Sequence, residues 1–469
     1  MDRERQITRP SDASDTDRTT DLPLNEKDVE DGTRLPPREP TKEEDTSDTT
    51  DIEQADGQPT TPNPPAGNAP PDGGLTAWLQ VLGAFVLLIA TWGVINSFGV
   101  FQAYYEEVRL PDSSASDISW IGSLQAALLL LVGIVSGPLF DAGYFQAMMR
   151  TGLFMVIFGL FMTSICKAYW QFLLAQGFCI GIGMGLLFLP ATGVLSQYFA
   201  RHRSLVIGVS SAGSPLAGIV FPIIFTQLEQ RVGFGWATRV IAFILLGLSI
   251  VPLIFMRPRL PPSGRRAEFD STAVRDLPFI TFSVAGFFSF MALYVPFFYI
   301  SLFATSHHIS SPDFAPYLVT LLNAGSIFGR IVPNALADRF GALNVLTICM
   351  AGTAAVCYGW FGIHDTAGAV VFALLYGALS GGVVSLTPSV VVSMSPDMSR
   401  VGARMGVNFL LNGIALLIGT PIAGAIVNGY TEARWKGTMA FAATSILIGT
   451  GLYVMSRWLV YRRIPVLKF

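Results

Sequence analysis

Residues 171–196 read QFLLAQGFCIGIGMGLLFLPATGVLS, and residues 369–394 read AVVFALLYGALSGGVVSLTPSVVVSM. Neither stretch carries a charge, and each exceeds the ~20 helical residues needed to cross a ~30 Å hydrocarbon core. Gly183 precedes Pro190 by seven positions, as Gly381 precedes Pro388, and the two pairs stand 198 positions apart. Two membrane-length helices with the same internal spacing point to a chain built twice over.

The pattern extends in both directions. Apolar stretches occupy 77–102, 118–139, 148–166, 171–196, 205–226, 237–256, 277–304, 314–336, 345–363, 369–394, 403–427 and 437–461, twelve in all. The longest break, Arg257 to Asp276, separates six from six. Gly208 and Gly406, in the fifth and eleventh stretches, repeat the offset of 198. Gly137-Pro-Leu-Phe-Asp141-Ala-Gly143 and Asn334-Ala-Leu-Ala-Asp338-Arg-Phe-Gly341 follow the second and eighth, their aspartates 197 apart. The predicted fold is an all-α membrane protein: twelve transmembrane helices in two six-helix pseudo-repeat bundles. Its expected parts are a disordered acidic tail over 1–71, bundles over 72–256 and 277–469, and a cytosolic linker over 257–276.

Composition agrees. The chain has 469 residues, 51% hydrophobic and 13% charged, about half the usual ionic content. There is too little polar surface to clothe a soluble enzyme of this size. Residues 1–71 hold 18 Asp/Glu, 8 Lys/Arg and no aromatic residue, a net of −10. Such a segment cannot bury enough apolar surface to offset its ordering entropy. The remaining 398 residues hold 15 Asp/Glu and 22 Lys/Arg, a net of +7. No apolar core opens the first thirty residues, so no cleavable secretory signal is expected. The four cysteines, Cys166, Cys179, Cys349 and Cys357, form no CxxC pair, which argues against structural zinc or a disulfide framework.

Basic residues set the orientation. With both termini cytosolic, the inner segments collect fifteen Lys/Arg, among them Arg265, Arg266, Arg400 and Lys468. The outer side has six: Arg109, Lys167, Arg231, Arg239, Arg434 and Lys436. That bias places the tail in the cytosol.

Twelve spans with an Asp-centred loop in each half resemble the major facilitator superfamily, over essentially all of the chain after residue 71. Pro71-Asp72-Gly73-Gly74 with Ala77-Trp78 is similar to the first signature of its fungal monocarboxylate porter-like branch. Tyr198-Phe199-Ala-Arg201-His-Arg203, running into Gly208 and Ala212-Gly213-Ser214, resembles the second. By itself Asp72 suits the positive end of the first helix. The resemblance implies that it latches a basic cytosolic loop. It also implies gating roles for Asp141, Asp338 and Arg339. The first of those loops departs from the pattern, with Ala142 and Tyr144 where a basic residue belongs.

Polar groups inside spans are the site candidates. Arg330 is the one basic residue well inside a span, and Asn323, Ser326 and Arg330 share a helical face at i, i+3 and i+7. Spacing fits two readings: a substrate site, or an Arg snorkelling to the headgroups. By resemblance, an Arg here meets the substrate's carboxylate. Two positions depart from the proton-coupled porters, which carry an Asp where this chain has Ser326 and a Lys where it has Asn96. A larger, less charged substrate fits better, and proton coupling stays open. Asn408 and Asn412 share a face of the eleventh span, while Tyr294, Tyr299, Gln102 and Gln176 are further candidates to line a cavity. Phe287, Phe288, Phe290, Phe297 and Phe298 give the seventh span a surface suited to a flat ring.

No HExxH, GxSxG or phosphate-binding loop is present. No enzymatic activity, cofactor or metal is expected, and basic residues that follow topology give no support for nucleic acid. The expected function is secondary active transport of a small organic molecule in the plasma membrane, by alternating access. Efflux of a fungal secondary metabolite leads. Uptake of a monocarboxylate or riboflavin-like nutrient, or a non-transporting nutrient sensor, are the rivals.

Overall fold

The computed structural model describes residues 70–261, 271–395 and 401–465. The expectation for the tail therefore falls outside the described residues up to position 69. So do those for Arg265, Arg266, Arg400 and Lys468. Among the described residues all regular structure is helical.

Ten helical stretches are long and apolar enough to cross a membrane. In order, α1 is Leu75–Arg109, α2 Ala115–Asp141, α3 Phe145–Thr163 and α4 Tyr169–Tyr198. The next, Arg203–Phe255, is 53 residues long and bends at Gly233, whose φ of 78° and ψ of 166° lie where side-chain-bearing residues are strained. Its limbs are α5 (203–232) and α6 (234–255). Then come α7 Leu277–Ser306, α9 Ala342–Gly362, α10 Thr366–Ser393, α11 Val401–Val427 and α12 Glu432–Arg463. Between α7 and α9 lies α8, Tyr317–Phe340, whose 24 residues reach about 36 Å at 1.5 Å per residue. Its Asn323, Arg330 and Asn334 keep it out of the apolar ten. Counting the bent stretch as two and adding α8 gives twelve rods among the described residues.

Local chemistry fixes the helix starts. Ser114 and Asp117 form a reciprocal capping box at α2. The Asp365 carboxylate accepts from Gly368 N at 2.7 Å at the head of α10. The first rod runs past its expected end at 102, because Gln102 and Glu106 continue the helix and pair at i, i+4.

Exposure follows a bilayer rather than water. Phe154 and Phe158 of α3 stack in the open, centroids 5.6 Å apart, and Phe328 and Ile348 are each 70% exposed. Trp78, Trp170, Trp236 and Trp458 stand exposed near rod ends, where amphipathic rings suit the interface. α8 has the reverse polarity of a water-facing helix: Asn323, Ser326, Arg330 and Asn334 are buried, while Phe328, Val332 and Leu336 face out.

α7 packs on α11 and α12, and α8 packs along α10. Backbones touch there: any Cβ on Gly325, Gly329 or Gly377 would overlap the facing main chain. The chain before residue 262 meets the chain after 271 where α2 lies on α11, α1 on α7, and the Arg203–Phe255 stretch on α8. "Inner" and "outer" below are the sides given by the basic-residue bias.

Candidate functional site

Two of the central rods are interrupted at mid-length. In α1 the backbone widens into a π segment at Ile89–Gly93 and breaks at Ser97 (φ −87°, ψ −9°). Such widenings recur at functional sites. In α7 the helix Leu277–Leu293 stops at Tyr294 (φ −91°, ψ −4°) and restarts at Val295–Ser306. Pro296, which has no N–H to continue the ladder, reinforces that break.

The breaks bring side chains together. Tyr294 Oη donates to Asn96 Oδ1 at 3.5 Å, and the Trp92 indole stacks on Tyr294 with centroids 5.8 Å apart and planes 20° off parallel. Phe297 lies 5.2 Å from Tyr294, and Phe188 meets Trp92 edge-on at 5.7 Å. α8 supplies the polar wall. Asn323 Nδ2 donates to Val319 O at 2.9 Å and to Asn96 O at 3.5 Å, and Arg330 Nε donates to Ser326 Oγ at 3.4 Å. Arg330 is 2% exposed, with the Tyr294 phenol as its electrostatic neighbour. It points inward, not to the headgroups. Among the described residues no carboxylate pairs with it.

Several buried atoms here have no protein partner: the donors Trp92 Nε1 and Asn96 Nδ2, and the acceptor Asn323 Oδ1. Leaving a buried polar atom unsatisfied costs ~1–3 kcal/mol. Two donors, a guanidinium and four aromatic rings are chemically suited to a flat molecule rich in acceptor oxygens.

Asn408 and Asn412 do not join this group by any hydrogen bond. Asn412 Nδ2 donates to Asn408 Oδ1 at 3.0 Å, and Asn408 Nδ2 reaches Ser283 Oγ at 3.4 Å, tying α11 to α7. Gln176 accepts from Tyr105 Oη at 2.7 Å, within the first half. Gln102 and Tyr299 stand at the outer end.

The Major Facilitator Superfamily profile matches residues 74–333 and 282–468. The chain belongs to the major facilitator superfamily. An MFS-type transporter of Emericella nidulans is 41% identical over 377 residues, covering 80% of this chain and 85% of its own length. The aspyridones efflux protein of the same fungus is 39% identical over 389 residues, 83% of this chain and 79% of its own. The fujikurins efflux protein of Gibberella fujikuroi is 35% identical over 393 residues, 83% and 84%. The protein is thus a multi-pass membrane transporter of this superfamily.

Of the gating candidates in this superfamily member, Asp72 is placed most firmly. Its Oδ1 accepts from Ala200 N at 2.6 Å and Arg201 N at 2.9 Å, and its own N–H donates to Tyr198 O at 3.0 Å. Its partners in the basic Tyr198–Arg203 loop are backbone amides rather than side chains, because the turn after α4 presents two N–H groups that no helix satisfies. Gly74, not Asp72, caps α1, with no side-chain bond. Asp72 holds φ 51°, a left-handed backbone that these three bonds maintain.

Asp338 Oδ2 accepts from Leu205 N at 3.3 Å, so the end of α8 touches the start of α5. Arg339 is exposed and makes no ion pair among the described residues. Asp141 is the last residue of α2 and half-buried.

Sequence reading missed three contributors. Trp92 lacked any polar flag. Glu106 lies past the expected end of the first span, although its i, i+4 spacing from Gln102 is visible. Asp276 closes the expected linker, yet it binds Arg404 at 2.8 Å and Arg463 at 2.6 Å.

Proposed function

We propose that this transporter exports a flat, oxygen-rich secondary metabolite, with Arg330, Asn323, Ser326, Asn96 and Tyr294 contributing to its binding site. The observation that carries the reading is Arg330: a buried guanidinium with no carboxylate partner among the described residues, beside the Trp92–Tyr294 stack. An Arg held inside a membrane helix is costly without compensation. A substrate with acceptor oxygens supplies that compensation, and the aromatic pair suits its ring system. Relatives named for aspyridone and fujikurin efflux favour the outward direction. With Ser326 neutral, the mid-membrane carboxylate of proton-coupled monocarboxylate porters is missing, which disfavours the uptake reading, although the signatures near Asp72 and Tyr198 resemble that branch.

Residues 72–256 and 277–469 are proposed to rock as two bundles about this site. Asn408 and Asn412 would line its α7–α11 side, and Asp72, Asp141, Asp338 and Arg339 would steady inner contacts. The basic-residue bias supports cytosolic termini, and export supports the plasma membrane.

The test is expression in a yeast host loaded with a panel that includes aspyridones and fujikurins. Faster loss of at least one compound than from cells carrying Arg330→Ala is expected. Net accumulation, or no flux across a broad panel at normal expression, would overturn export.

A further inference from the structure

At the outer end, the seam between α1–α2 and α7–α11 is closed by a compact polar set. Ser119 of α2 hydrogen-bonds Tyr299 of α7, Tyr299 Oη donates to Thr420 O at 3.4 Å, and Ser116 Oγ donates to Pro421 O at 3.1 Å. Gly424 permits this approach: a Cβ there would stand 2.6 Å from Tyr299 Oη and 2.9 Å from the Ser116 backbone. Within the set sits Glu106, half-buried on the last turns of α1. Gln102 Nε2 donates to its Oε1 at 2.9 Å, and Tyr430 Oη, beyond α11, donates to its Oε2 at 2.6 Å.

The titratable groups facing Glu106 are Glu107 on its own helix, Tyr299 from α7 and Tyr430 after α11. No Lys or Arg pairs with it among the described residues. Protonating it would therefore break no ion pair. It would convert charge-assisted hydrogen bonds into neutral ones, which are about half as strong.

The neighbours are equipped for both charge states. Gln102 is 1% exposed, and its Oε1 has no protein partner. With the amide as placed, Nε2 donates to the carboxylate; turned over, Oε1 would accept from the carboxylic acid. Tyr430 holds φ 51°, an unfavourable conformation for a tyrosine, in a turn where its N–H donates to Val427 O at 2.8 Å. Burial first, then the Glu106 charge, push the Tyr430 phenol above its ordinary range and keep it a donor.

We propose that Glu106 binds a proton from the outer aqueous side and that this proton releases the outer gate at Tyr430. One proton adds to one carboxylate oxygen, the charge goes from −1 to zero, and the reverse step returns the proton to water. In the export reading, on which the link to transport rests, outward opening would then be favoured by an acidic exterior.

Amide hydrogen exchange on the full chain in nanodiscs tests the site without any substrate. Between pH 8 and pH 5, after correction for intrinsic exchange rates, protection over 424–431 should fall about fivefold to tenfold in the wild type, as one charge-assisted bond becomes neutral. Glu106→Gln should show low protection with no such pH response. Tyr430→Phe, at a partly exposed position where folding is safe, should lower protection and shrink the response. An infrared carboxylic-acid band that grows on acidification in the wild type should be missing in Glu106→Gln. A pH-independent wild type, or an undiminished response in Glu106→Gln, would overturn the proposal. Failure here leaves the export assay intact, and absence of flux there leaves the exchange result readable.

Discussion

Tyr294 donates to Asn96 across the centre of the protein, and the two stand 198 positions apart. That is the interval separating Gly183 from Gly381 and Gly208 from Gly406. Gly99 and Phe297, also 198 apart, touch so closely that a Cβ on Gly99 would overlap the Phe297 carbonyl. In the two-bundle reading proposed above, equivalent positions meet where α1 and α7 cross; each rod is broken at the crossing, and the polar wall of α8 stands beside it. A residue at such a point touches both halves and so suits a substrate held between them.

Arg330→Ala is expected to abolish transport while surface expression stays near normal. Arg330→Lys should rescue little, because an ammonium cannot offer the planar fork. Efflux from cells, normalised to surface protein, checks this. Robust flux by the Ala variant would remove Arg330 from the site.

Two glycines should act in opposite directions. A Cβ on Gly208 would stand 2.6 Å from Arg330 O on the inner side, and one on Gly424 would stand 2.6 Å from Tyr299 Oη on the outer. Overpacking of this kind costs ~1–3 kcal/mol. Gly208→Ala should raise labelling of introduced thiols from the inside, and Gly424→Ala from the outside. The same shift in both would refute the assignment.

Asp72→Ala removes an acceptor from two backbone N–H groups and should destabilise by ~1–3 kcal/mol. Asp72→Asn keeps an oxygen in place and should cost less than half of that. Thermal unfolding in one detergent ranks the two. Equal losses would mean that charge, rather than acceptor geometry, holds the loop after α4.

At Asp276, the two arginine partners should respond unequally. Arg404 is 3% exposed, lies 4.9 Å from the Phe279 ring and donates to Met394 O at 2.8 Å; Arg463 is 56% exposed. Asp276→Ala takes one charge-assisted hydrogen bond from a buried cation and should cost ~1.5–3 kcal/mol. Arg463→Ala should cost under ~1 kcal/mol, as for exposed pairs. Comparable drops in melting temperature would contradict this ranking.

Much of the architecture was readable because a bilayer imposes long apolar stretches, and these survive without knowledge of packing. The face shared by Asn323, Ser326 and Arg330 was readable for the same reason, since helical spacing is local. What escaped depends on contacts between distant segments. Nothing local reveals that Trp92 stacks on Tyr294, that Asp72 meets backbone amides of the loop after α4 rather than its side chains, or that Glu106 meets Tyr430 324 positions later. The end of α1 was misjudged by equating the helix with the hydrocarbon thickness, which limits hydrophobicity and not hydrogen bonding.

The reversed polarity of α8 bears on how the chain is made. A segment carrying Arg330 and two asparagines on its hidden face is a poor substrate for insertion on its own, since one central Arg disfavours partitioning by ~2.5–3.5 kcal/mol. Its flanking rods α7 and α9 are strongly apolar, and α10 receives its glycine face backbone to backbone. Delivery of α8 into the bilayer is therefore expected to wait on α9 and α10 leaving the ribosome. Truncated chains released from the ribosome that end before residue 366 should leave α8 accessible to water-soluble reagents, whereas released chains ending after 395 should not.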